Sequence, residues 1–367
     1  MKIKKTFFAI FIGLTIFGYA GNITNIQTEK IDEQVRAKQI KDLKFGMMLH
    51  WSYSTFSGKD WTPEEWVPTL DKDASDFKAT GCDTDQWCKV AKDAGMGYIV
   101  FVAKHHDGLC MWDTKTTKKK VTNSPLGIDV IAKLRKSCDK YGIKLALYYN
   151  QCDWNWEWGK GSWKEKQFNW KGAYDILDGK TGKNPELKKA QLKELLSLYG
   201  PIEFFWFDHA IHDGGLSHKE TVKWMNQFQP DCFVGFNSGE SAGQILLRER
   251  GTPGPLGLTN SEKERMKTHD SQYLLVEFVY PIFPRINDSI FRGQGGWFYS
   301  RPEYDHLCLP AEKIYQDYLG AVKYGNIFSL NLGPDPRGRL RDIDVKTLQK
   351  VGRYIRGEEK FEGLKTE

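Results

Sequence analysis

Asp208 closes the aromatic run Phe204-Phe-Trp-Phe, and Glu277 closes Leu274-Leu-Val. A carboxylate at the tip of a buried apolar strand is poorly solvated. That suits one such group to attack an electrophilic carbon. It suits another, with its pKa raised by apolar surroundings, to act as a general acid. Two acids on one pocket are the minimum set for hydrolysing a glycosidic bond. One attacks the anomeric carbon; the other protonates the leaving oxygen and then activates water. Blander roles compete at both positions: Asp208 as the N-cap of a following turn, and Glu277 in a buried ion pair with Arg285 or Arg292.

Three histidines accompany the acids. His50 ends one apolar run, while His105 and His106 end another and lead into Asp107-Gly108. Neutral imidazole offers one donor and one acceptor, a good match for a sugar hydroxyl. Adjacent side chains on an extended strand point to opposite faces, which argues against both histidines holding one metal. No ligand set has metal-site spacing, so neither a metal nor a cofactor is expected. Thirteen Trp residues supply flat apolar faces. Trp51, Trp61, Trp66, Trp112, Trp206, Trp297 and a Trp-rich loop over 152–170 stand out, although most Trp residues fill cores. No Gly-x-Ser-x-Gly elbow precedes a helix, and no Cys ends an apolar strand beside His.

These residues need a scaffold that gathers them. Short apolar runs at 45–51, 97–106, 143–150, 202–208, 232–237, 273–277 and 327–331 each stop at polar or aromatic residues. Amphipathic segments of helical period lie at 85–94, 128–141, 186–199, 218–228 and 311–324. Strands alternating with helices, apolar on both faces, predict a parallel sheet covered by helices. Seven of eight expected strands point to an α/β fold, a (β/α)8 TIM-like barrel forming a single catalytic domain over 40–356. His50, His105, His106, Tyr149, Asp208, Asn237 and Glu277 would then converge at the C-terminal mouth. Residues 21–39 form an N-terminal lead-in segment with a helix near 31–40. Residues 357–367 form a C-terminal tail.

The N-terminus pairs Lys2, Lys4 and Lys5 with an apolar run to Ala20, shorter than a membrane span. It reads as a signal peptide over 1–20, cleaved near Ala20, which predicts export to the periplasm or medium without membrane insertion. The formal charge is +6, and +3 without the three leader lysines, so nucleic acid is not an expected partner. The seven cysteines form no dense framework, although Cys82 and Cys88 are close enough in sequence to pair. No motif specifies an oligomer.

At this level of detail the motifs become recognisable. Phe45-Gly-Met-Met-Leu-His-Trp-Ser-Tyr-Ser54, Ala103-Lys-His-His-Asp-Gly-Leu-Cys-Met-Trp-Asp113, Phe205-Trp-Phe-Asp208 and Asn331-Leu-Gly-Pro334 with Gly338 occur in this order. Together they resemble the α-L-fucosidases of glycoside hydrolase family 29. The resemblance implies a metal-independent, retaining exo-glycosidase that releases terminal fucose from fucosylated oligosaccharides or glycoconjugates. By the resemblance, Asp208 matches the nucleophile. His50, His105, His106, Tyr149 and Trp206 match pocket residues, and Trp61 with Glu65 or Glu64 lies where the family contacts the sugar. Glu277 matches the acid/base, with Glu240 and Glu249 as rivals, and Trp297 would line the pocket. His209 stands after the nucleophile where Gly is common, and Asn150 replaces a frequent Ser. A fucose- or galactose-binding protein that lost its acid/base, and a glycosidase of altered sugar specificity, are the other functions this residue set allows.

Overall fold

The computed structural model describes residues 30–57, 72–150, 184–208, 210, 215–237, 243–254, 273–283 and 296–364. Their strands are β1 (Phe45–Leu49), β2 (Tyr98–Lys104), β3 (Lys144–Asn150), β4 (Phe204–Asp208), β5 (Phe233–Phe236), β6 (Ile245–Glu249), β7 (Leu275–Pro281) and β8 (Ile327–Leu332). The sheet runs β5-β4-β3-β2-β1-β8-β7-β6, with parallel ladders throughout. This is the cyclic order of a (β/α)8 barrel. Its seam lies between β5 and β6. There Gln244 donates its backbone N–H to Val234 O (2.9 Å), and its side-chain Oε1 accepts from Val234 N (3.1 Å). Gly243 permits that approach: its φ is +68°, and a Cβ there would lie 2.2 Å from Val234 O.

The helices form where apolar periodicity meets a capping residue. Asp83 caps α2 (Thr84–Asp93) and Asp129 caps α3 (Val130–Tyr141), each accepting a first-turn N–H. Asn184 caps α4 (Pro185–Leu198), and Ser217 with Glu220 forms a capping box on α5 (His218–Met225). α6 (Ala311–Val322) and α7 (Asp342–Arg356) come next, and α7 ends at Gly357 in the left-handed conformation.

The buried side chains divide into two clusters, as alternation along a strand requires. One cluster includes Leu49, Phe101, Leu147, Phe207 and Leu330, packed beneath the helices. The other fills the barrel with Met48, Tyr98, Val100, Tyr148, Trp206, Leu247 and Val279. Ala37 and Ile40 of α1 (Glu33–Lys41) join the second cluster and plug its N-terminal end. Arg36 ties α1 to Glu203 just before β4 (2.6 Å) and to Asp231 O before β5 (2.8 Å).

Two strands differ from the sequence expectation. β6 falls within a stretch read as loop. β7 continues four residues past Glu277, the residue expected to end it.

Candidate active site

The loop after β2 builds the histidine corner. The β2–β3 register shifts between Val102 and Lys104, and the strand ends at Lys104. Such a bulge re-aims the side chains beyond it. Residues 105–108 then form a turn, with Gly108 N donating to His105 O (3.0 Å) and Gly108 at φ +76°. Asp107 pins the turn by accepting from Ser52 Oγ (2.5 Å) and Leu109 N (3.0 Å). Because the strand has ended, the two imidazoles share one side, with ring centroids 4.3 Å apart. His106 Nε2 lies 3.6 Å from Asp208 Oδ2.

Asp208 ends β4 with its side chain 15% exposed, so solvent reaches it from the mouth. Both of its oxygens are oriented: Tyr148 Oη donates to Oδ2 (2.6 Å), and Asn237 Nδ2 donates to Oδ1 (2.9 Å). The same Asn237 amide donates to Glu249 Oε2 (2.9 Å). Two oxygens each 2.9 Å from one nitrogen are at most 5.8 Å apart, which brings Asp208 and Glu249 into one site. The Glu249 side chain is 31% exposed at the mouth, but the protein crowded around its carboxyl still pushes it up to about 7, and the charge of Asp208 adds to the effect. The Asn237 bond and Arg250 oppose it.

His50, just past the end of the adjacent β1, stands beside the histidine corner with its ring 5.4 Å from that of His105. Asn331 Nδ2 donates to Trp297 O (2.7 Å), so its Oδ1 is the atom that accepts from His50 Nδ1 (2.6 Å). This selects the tautomer with Nε2 as an acceptor. Burial lowers the His50 pKa to about 4, against the pull of Asn331 and Asp208, so the ring is neutral at neutral pH. Trp297 stands 5.2 Å from His50, and the Arg250 guanidinium lies 5.2 Å over its indole.

Residues 20–360 match the family model described as alpha-L-fucosidase. The chain belongs to the α-L-fucosidase family. It is 26% identical over 315 residues to Alpha-L-fucosidase 1 of Arabidopsis thaliana, covering 83% of this chain and 56% of the relative. It is 28% identical over 323 residues to Putative alpha-L-fucosidase 1 of Oryza sativa subsp. japonica, covering 84% and 55%. The chain therefore spans about half the length of these plant relatives. Its fold is similar to that of alpha-L-fucosidase isoenzyme 1 from Paenibacillus thiaminolyticus (TM-score 0.67, 23% identity, 91% of this chain and 80% of that one). It is also similar to alpha-L-fucosidase AlfC in complex with Fuca(1,6)GlcNAc (TM-score 0.64, 24% identity, 88% and 98%).

For this member of the α-L-fucosidase family, the structure gathers His50, His105, His106, Asp208, Asn237 and Trp297 at one mouth and places three expected site residues, Tyr149, Glu277 and Trp206, away from it. Tyr149 faces outward, where its hydroxyl donates to Gln191 on α4 (2.7 Å) and accepts from Lys104 Nζ (3.2 Å). The inward tyrosine is Tyr148. Glu277 is 0% exposed inside the barrel, accepting from Trp206 Nε1 (2.7 Å) and Ser329 Oγ (2.5 Å). An enclosed carboxylate has no surface to offer a leaving group. Trp206 is likewise buried, stacked against Tyr148. Trp61, Glu64, Glu65 and Glu240 lie outside the described residues, as do the leader, the Trp-rich loop, Arg285 and Arg292. Cys82 and Cys88 are unbonded; the nearer thiol to Cys88 is Cys138, at 3.8 Å. Among the described residues no His/Cys/Asp/Glu group is placed to hold a metal, and no helix is long and apolar enough to cross a membrane.

Tyr148 and the bridging role of Asn237 are what sequence reasoning missed; Glu249 was named only as a rival to Glu277, in a stretch read as loop. Inward alternation Ala146, Tyr148, Asn150 is the signal that finds Tyr148. Recognising 245–249 as a strand would have placed Glu249 at a tip.

Proposed function

We propose that this chain is a retaining exo-α-L-fucosidase in which Asp208 is the nucleophile and Glu249 the acid/base. One observation carries the pairing: a single Asn237 amide holds both carboxylates, with an upper bound of 5.8 Å between the bonded oxygens. Retaining enzymes place their two carboxyls roughly 5–5.5 Å apart, whereas inverting ones need about 6.5 Å or more to seat a water. Asp208 attacks the anomeric carbon as Glu249 passes its proton to the departing oxygen. Esterification then removes the charge of Asp208, and with it part of what held the Glu249 proton. The pKa of Glu249 falls, and it becomes the base that takes a proton from water in the second half. Neutral His50 offers an acceptor to a sugar hydroxyl, and His105 and His106 share the wall beside it. A terminal fucose on an oligosaccharide is the substrate class, in line with the family and with the fucosyl disaccharide bound to the fold relative AlfC.

Turnover of an aryl α-L-fucoside beside aryl galactosides and branched fucosylated oligosaccharides tests the assignment. Fucoside cleavage with first-formed product of unchanged anomeric configuration is expected. Binding of fucose without any turnover would instead leave a sugar-binding protein. Export is part of the same proposal, supported by the basic and apolar leader over 1–20. N-terminal sequencing of the protein from a periplasmic fraction should begin at Gly21; an intact Met1 there would overturn cleavage.

A further inference from the structure

Beneath the mouth, the barrel holds a polar relay across five strands. Glu277 on β7 accepts from Trp206 on β4 (2.7 Å) and from Ser329 on β8 (2.5 Å). When Glu277 is ionised, Ser329 spends its hydrogen on the carboxylate, and Tyr98 on β2 is then the donor in the Tyr98–Ser329 bond (2.8 Å). The Trp206 indole stacks on Tyr148 of β3 (5.2 Å, 16°), and Tyr148 stacks its other neighbour His105 (5.7 Å, 16°). The same Tyr148 donates to Asp208 (2.6 Å).

We propose that Glu277 is a positioning residue for the nucleophile: it anchors the Trp206 indole, the indole supports the Tyr148 ring, and the phenol holds Asp208. This presupposes Asp208 as the nucleophile. The neighbours of Glu277 in register, Leu247 and Ile327, are apolar. An apolar residue at 277 would therefore fill the space as well and avoid burying a charge. What it would not supply is an acceptor. A buried indole N–H left unpaired is costly, and the ring relieves the cost by tilting toward another acceptor. Any tilt passes through the stack to Tyr148 and His105, and small displacements of reacting groups have large kinetic effects.

Glu277→Leu keeps the volume and removes the acceptor. With this variant kcat should fall roughly tenfold to a hundredfold with KM little changed. The loss should be equal on an activated aryl fucoside and on a poor-leaving-group fucoside, and azide should not restore it. Glu277→Gln, which retains one carbonyl acceptor for the indole, should recover most of the rate. Added to Trp206→Phe, which has no N–H to satisfy, Glu277→Leu should cost nothing further. Thermal melting of every variant checks that folding is intact. If Glu277→Leu does not fold, Trp206→Phe alone serves: even loss across leaving groups is expected, and wild-type kinetics would overturn the proposal. A folded Glu277→Leu enzyme with normal kcat also overturns it. So does a loss confined to poor leaving groups and rescued by azide, which would make Glu277 the acid itself. The nucleophile assignment fails separately, by an active Asp208→Gly enzyme. An inactive Asp208→Gly beside an unaffected Glu277→Leu removes only the present proposal.

Discussion

Glu249 and Glu277 lie on adjacent strands, and in both the carboxyl is pushed up to about 7, with burial as the largest cause. They differ in depth. In the β6–β7 ladder Glu277 pairs with Leu247, while Glu249 pairs with Val279, two residues nearer the mouth. That is roughly 6–7 Å along a strand. The second cause of the Glu249 shift is the charge of Asp208; for Glu277 only the Ser329 and Trp206 bonds act beside burial, and they pull the other way. A raised carboxyl marks desolvation, and desolvation occurs both within a site and underneath it. The neighbour that adds a second charge distinguishes the two.

The contrast between the two glutamates is most exposed at Asp208, because the role of each is defined against it. Asp208→Ala should lower aryl fucoside turnover by more than about a thousandfold with the melting curve preserved. A near-normal rate would remove the site altogether. Glu249→Gln should then cost about 10²–10⁴-fold on natural oligosaccharides, and far less on an activated aryl fucoside whose leaving group needs no proton. An even loss on both substrates would take the acid role away from Glu249.

The adjacent tyrosines extend the contrast between mouth and packing layer. Tyr148→Phe removes a donor to Asp208 and should lower kcat/KM about tenfold. Tyr149→Phe should leave kinetics unchanged and cost about 1 kcal/mol in urea unfolding, because it removes the bond to Gln191. The reverse pattern would mean that the strand presents its other face to the mouth.

Proton loss from Glu249 should depress kcat/KM as pH rises through about 7. A pH–rate profile should show that limb abolished in Glu249→Gln and retained in Glu277→Gln. Glu277 contributes instead to stability. Its folded carboxyl, raised from 4.5 to about 7, holds a proton more tightly than the unfolded one. Its stabilising contribution is therefore present below the unfolded value and is lost as pH rises through about 7. The amount is on the order of 3 kcal/mol. Urea unfolding at pH 5 and pH 8 should show a smaller difference in Glu277→Gln than in the natural protein. Equal differences would mean that the acid is not held protonated in the fold.

Much of the molecule was readable from local chemistry. Strand-helix alternation specified the barrel, because an apolar run of five to seven residues and an amphipathic run of ten or more bury themselves differently. Asp208 was readable because Phe204-Phe-Trp-Phe ends there abruptly. The histidine turn was not: an extended strand would send His105 and His106 to opposite faces, whereas β2 ends at Lys104 and their rings share one side. β6 escaped because Ile245–Glu249 has only three apolar residues and closes with Arg248 and Glu249, the pattern of a loop edge. The true end of β7 escaped because a glutamate inside an apolar strand looks like a stop. Only the donors on β4 and β8 make that position tenable.

The sequence by itself determined seven of the eight strands, the helical segments between them, and that Asp208 would stand at a strand tip. Tertiary structure alone decided which of two adjacent tyrosines enters the barrel and that Glu249 rather than Glu277 meets Asp208. Side chains alternate with a period of two, so a one-residue bulge or a misplaced strand end inverts every assignment beyond it. Those registers are set by pairing between strands distant in sequence, which no local pattern encodes.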